Sequence, residues 1–76
     1  MDNKILITQL CLAIINENTS DIDRYLRAIK DCHLDINTIT AAGYSPIYYA
    51  VKMTNPQLVR ELIEQYGARL TDQYNG

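Results

Sequence analysis

Residues 8–26 lie over residues 45–63 without a gap when the chain is shifted by 37 positions. Thr8 then meets Ser45, Leu10 meets Ile47, Ala13 meets Ala50, Ile14 meets Val51, Asn18 meets Asn55, Ile22 meets Val59, Tyr25 meets Leu62 and Leu26 meets Ile63. Only two of these pairs are identical, yet large and small apolar residues recur at the same points of two successive helical hairpins. A hairpin of this size cannot bury its apolar face alone, so the overlay predicts two units stacked side by side.

The second hairpin carries the clearer signals. Ser45 is a candidate N-cap with Pro46 at the first helical position, where a missing N–H costs nothing. Asn55-Pro56 repeats the device ten residues on, and the first of the two helices can run only to about Met53, because proline disfavours helical geometry in the residue before it. Leu58, Val59, Leu62, Ile63 and Tyr66 form one apolar face of the next helix, and Gly67 is its αL stop.

In the first hairpin, Asp2-Asn3 are candidate caps for a helix whose face is Leu6, Leu10, Ala13 and Ile14, ending near Glu17-Asn18. Thr19 or Ser20 starts the next helix, and Ser20-Asp21-Ile22-Asp23 has the S-x-x-D spacing of a capping box. Ile22, Tyr25, Leu26 and Ile29 make its apolar stripe, with Asp23, Arg24, Arg27 and Lys30 on the wet side. Residues 32–42 show no helical stripe and contain Asp35-Ile36-Asn37. A second copy of this connector, Arg69-Leu70-Thr71-Asp72, begins 34 positions after Asp35, so the chain is expected to stop where a third hairpin would start.

Composition narrows the chemistry. Seventy-six residues make one small domain, with little material for an enclosed active site. The net charge of −2 comes with seven scattered Lys and Arg, which gives no electrostatic footprint for nucleic acid or an anionic membrane. The apolar run of residues 5–15 is broken by Thr8 and Gln9 and is too short to span a bilayer. Cys11 and Cys32 are too few for a disulfide framework and read as reduced thiols in a cytoplasmic setting. His33 beside Cys32 falls short of the four ligands a structural zinc needs, and Asp21 and Asp23 belong to a helix start rather than an acid/base pair. No phosphate-binding glycine loop is present. No catalysis, metal or cofactor is expected.

Several motifs resemble the ankyrin repeat, a tight turn or finger followed by an antiparallel helix pair. Asp35-Ile36-Asn37 is similar to its D-V-N. Residues 43–50, G-Y-S-P-I-Y-Y-A, are similar to G-x-T-P-L-H-x-A, and Leu62-Ile63-Glu64 and Gly67-Ala68 to L-L-E and G-A. Tyr48 stands where the signature has histidine, Thr54-Asn55-Pro56 replaces a glycine-containing turn, one residue is added before Gly67, and Arg69 replaces the usual Asp. The resemblance implies an all-α, ankyrin-like stack of two helix-turn-helix units with a finger between them: a capping unit over residues 1–34, a repeat over 35–68, and the start of a further repeat over 69–76. It implies a non-catalytic module that binds a protein partner, within a larger intracellular adaptor or an effector delivered into a host cell. The family's binding positions, finger tips and the open face of the first helix, fall here on Ile39, Ala41, Ala42, Tyr44, Lys52 and Met53. The face shaped by Ile47, Val51 and Leu62 is expected to be partly uncovered, which implies self-association or a bound partner there. The rival reading is a complete small regulator whose four helices close into a bundle and inhibit one protein partner.

Overall fold

The computed structural model describes residues 3–69. Within them the chain forms four helices and no strands: α1 (Asn3–Ile15), α2 (Thr19–Asp31), α3 (Pro46–Lys52) and α4 (Pro56–Tyr66). Helix α1 packs against both α2 and α3, and α3 packs against α4. The arrangement is two helical hairpins side by side, with the non-helical residues 32–45 between them. No described helix is long and apolar enough to cross a membrane.

The two hairpin turns are built from the same hydrogen bonds at the same offset. In the first, the amides of Asn16, Glu17 and Asn18 donate to the carbonyls of Leu12, Ile14 and Ala13; in the second, Met53, Thr54 and Asn55 donate to Tyr49, Val51 and Ala50. Each turn places its middle residue in the left-handed region, Glu17 at φ 56 and Thr54 at φ 55. Each then hands on to an asparagine that caps the next helix. The Asn18 side chain accepts from the Asp21 amide and the Asn55 side chain from the Leu58 amide, both at 3.2 Å. These bonds satisfy the last carbonyls of one helix and a first amide of the next, which is the pairing expected of a Schellman end followed by an N-cap.

This geometry bears out the expected start of α2 and corrects its expected capping box. Thr19 is its first residue, but the cap is Asn18, and Ser20-Asp21-Ile22-Asp23 lies inside the helix. The reciprocal bond comes from Asn18 Nδ2 to Asp21 Oδ2 at 3.0 Å, and Asp21 also holds Arg24 at 2.7 Å. Ser45 does occupy the cap position of α3, yet its side chain makes no capping bond, because the Tyr48 amide it would accept from is already bonded to the Ser45 carbonyl. Asn3 is helical rather than capping, α1 ends two residues earlier than expected, and Asp2 lies outside the described residues.

A threonine at φ 55 is strained, since its branched Cβ crowds the backbone where glycine would not. Thr54→Gly is expected to raise stability by about 1 kcal/mol, seen as a rise of several degrees in the thermal midpoint. A fall would show that the Thr54 side chain contributes more than its backbone costs.

One core serves both hairpins. Ile7, Leu10, Cys11, Ala13 and Ile14 of α1, Ile22, Leu26 and Ile29 of α2, Ile36 of the connector, Ile47 and Ala50 of α3, Leu58 and Leu62 of α4, and Ala68 are all buried. Leu6, expected on the α1 face, is only half-buried, whereas Ile7 and Cys11 are inside. A helix packed on two neighbours needs a wider apolar arc than one stripe. Tyr25 and Tyr66 are half-buried against this core, and Asp23, Arg24, Arg27 and Lys30 face water as expected.

The expected uncovered face requires correction. Ile47 and Leu62 are fully buried in the shared core. The apolar residues left in the open on the second hairpin are Val51, Ile63 and, in part, Val59.

Candidate functional site

The connector between the hairpins is a folded finger. Asp35 opens it: its side chain accepts from the Asn37 amide at 2.9 Å, and its carbonyl accepts from the Thr38 amide and hydroxyl at 3.1 and 2.6 Å. Ile36 is buried and pins this turn to the core. Further along, the Tyr44 carbonyl accepts both the amide and the hydroxyl of Thr40, at 3.0 and 2.8 Å, and the Gly43 amide donates to the Thr40 carbonyl. The tip is thereby closed with Ala41 and Ala42 at its apex, and Gly43 supplies φ 93, a conformation that side chains rarely adopt. Asn37 clasps the end of the second hairpin, donating to the Gly67 carbonyl at 3.1 Å and accepting from the Arg69 amide at 2.9 Å.

An aromatic group stands next to the finger. The rings of Tyr44 and Tyr48 stack at 3.8 Å between centroids with 11° between planes. Tyr49 meets Tyr48 edge-on at 5.2 Å and Tyr44 at 6.1 Å. The ammonium of Lys52 lies 5.7 Å from the Tyr48 centroid. Spacing explains the assembly: Tyr48 and Lys52 are one helical turn apart on α3, while Tyr44 enters from the finger just before the helix begins.

The structure gathers some of the residues anticipated from sequence and separates others. Tyr44 and Lys52 converge on Tyr48, and Ala41 and Ala42 form the exposed tip. Ala41 lines a shallow recess with Lys4, Ile5, Thr8 and Gln9 of α1. Ile39 is exposed on the finger. Met53 lies elsewhere: half-buried against the core at the hairpin turn, it lines a recess with Glu17, Ile22, Asp23 and Leu58.

Three features escaped the sequence reading. Tyr48 and Tyr49 complete the aromatic group, and the signal for Tyr48 was its place one turn before Lys52. Ile5, Leu12 and Ile15 leave α1 with exposed apolar side chains, for which the run of apolar residues on all sides of that helix was the clue. The third is a groove of about 540 Å³ lined by Val51, Thr54, Asn55, Pro56, Val59, Arg60, Ile63 and Glu64.

Reactive chemistry is poorly served by these surroundings. Burial pushes the Cys11 thiol up to about 12, so it stays protonated and non-nucleophilic at neutral pH. Cys32 and His33 are exposed neighbours, and among the described residues no group of three or more His, Cys, Asp or Glu is placed to hold a metal ion.

In comparison with known protein families, the model described as an ankyrin repeat matches residues 42–71. Neither a curated protein sequence nor a solved structure matches the chain.

Proposed function

Because the chain carries an ankyrin repeat over residues 42–71, we propose that it is a non-catalytic protein–protein interaction module, part of a larger intracellular adaptor or effector. Residues 1–34 act as the capping unit and 35–68 as the repeat. The partner is read by the finger tip, Ile39, Ala41 and Ala42, and by the aromatic group beside it. The single observation that supports this most is the stack of Tyr44 on Tyr48 with Lys52 next to it. Rings held against one another lose little freedom on binding and present a broad amphipathic surface, and tyrosine is among the residues that dominate interface energies. Met53, adaptable and half-buried, gives the partner a separate point of contact in the recess at the hairpin turns. The groove at Val51, Val59 and Ile63 is a second contact surface, through which the module self-associates.

Capture from cell extract tests the first surface. Proteins retained by the wild type are expected to be lost with Tyr44→Ala and with Lys52→Glu, and kept with Arg27→Ala, which alters the exposed side of α2. Retention of the same proteins by both finger-side variants, with melting curves unchanged, overturns the assignment.

A further inference from the structure

The internal repeat shows what the open groove lacks. At the 37-residue offset, Tyr48, Val51, Val59 and Ile63 correspond to Cys11, Ile14, Ile22 and Leu26. Those four are buried in the core that the first hairpin shares with the second, whereas their counterparts are half-buried or exposed. Ile14 and Leu26 are 1% exposed; Val51 and Ile63 are 40% and 39% exposed. Among the described residues the same face is thus covered in one unit and open in the other.

A head-to-tail copy is poorly suited to cover it. The residues with which the second hairpin enters the shared core include Leu58 and Leu62, and the first hairpin has Asp21 and Tyr25 at those positions, Asp21 being ion-paired to Arg24. The apolar side chains that α1 leaves exposed, Ile5, Leu12 and Ile15, do not fall at the positions of Leu58 or Leu62. The groove is, however, complementary to itself. Arg60 and Glu64 flank Val59 and Ile63 on α4 and make no ion pair among the described residues, in keeping with the less favourable order of Arg before Glu along a helix. Val59 and Ile63 centre on position 61 and Arg60 and Glu64 on position 62, about 1.5 Å apart along the helix, so an axis between the two centres leaves both pairs within side-chain reach.

We propose that a second copy of this chain occupies the groove in a two-fold dimer. The two α4 helices cross antiparallel, Val59 of each protomer meets the partner's Ile63, and Arg60 meets the partner's Glu64. Val51 and Pro56 close the apolar centre, and the interface is isologous, so it ends at two copies rather than growing. This rests on the reading of the groove as an association surface and is independent of the finger.

Sedimentation of the whole chain over a range of concentrations decides it. The wild type is expected to show a monomer–dimer equilibrium. Arg60→Glu, which sets a carboxylate at position 60 against the partner's Glu64 twice, weakens it at least about 10-fold, and the double variant Arg60→Glu with Glu64→Arg restores it. Melting curves establish that each variant folds. A monomer at all concentrations, growth beyond the dimer, an Arg60→Glu variant that dimerises like the wild type, or a double variant that does not recover overturns the proposal. Loss of partner capture in Lys52→Glu with the dimer intact, and loss of the dimer in Arg60→Glu with capture intact, keep the two surfaces apart.

Discussion

Leu10→Ala is expected to abolish cooperative folding. Leu10 is fully buried on the one helix that packs against both α2 and α3, so its side chain fills space that both hairpins share. Truncating such a leucine costs about 2–5 kcal/mol, the transfer term plus the cavity left behind. A single core in a chain of this size rarely supplies more than about 3–5 kcal/mol. The loss therefore matches the whole margin, and far-ultraviolet circular dichroism during heating should show a broad, early transition in place of a sigmoid. The same change at Leu12, which is exposed on the other side of α1, should leave the midpoint nearly unchanged. Equal behaviour of the two variants would mean that α1 is not the shared element.

Ala50→Leu should act with the opposite geometry and a smaller cost. Ala50 is fully buried on α3, the helix packed against α1, and its carbonyl receives the Asn55 amide that closes the hairpin turn. Extra carbons there must displace neighbours or push a helix outward, which costs about 1–3 kcal/mol. Denaturant titration measures it, with Ala42→Leu at the exposed finger tip as the comparison expected to stay within about 0.5 kcal/mol of the wild type. If the larger residue at 50 is accepted without loss, the closely packed hairpin arrangement is wrong at that point.

Much of the architecture was legible in the sequence, for reasons that particular residues make plain. Pro46 and Pro56 mark helix starts because their rings fit only the first turn, and both begin helices. Gly67 marks a stop and adopts φ 73 there. The residues from 32 to 42 lacked any stripe, and the finger they form is held by side-chain bonds from Asp35 and Thr40 rather than by packing of a helical face. The overlay of Asn18 on Asn55 anticipated the equivalence of the two turns more closely than the local capping pattern did.

What escaped reading was decided between elements. Asn18 caps α2 rather than Ser20 because the end of α1 already engages its amide and holds it at φ −87, ψ 92, outside the helix. Nothing in the run Asn18-Thr19-Ser20-Asp21 distinguishes these candidates until α1 is in place. On α4 the neighbouring pairs Leu58-Val59 and Leu62-Ile63 are all apolar, so the rotation of the helix is set by where the first hairpin lies. The leucines turn inward and the β-branched residues outward. The aromatic group likewise depended on the finger bringing Tyr44 back over α3, a meeting that helical spacing does not contain.

The clasp made by Asn37 has a kinetic consequence. Its side chain spans 30 residues to the Gly67 carbonyl and 32 to the Arg69 amide, so it can form only once the second hairpin has folded back onto the connector. Unzipping from the C-terminal end must break it first, so peeling α4 away while the finger keeps its shape forfeits both bonds, each worth about 0.5–1.5 kcal/mol. One small amide thus ties the opening of the last helix to that of the connector and opposes fraying from the C-terminal end.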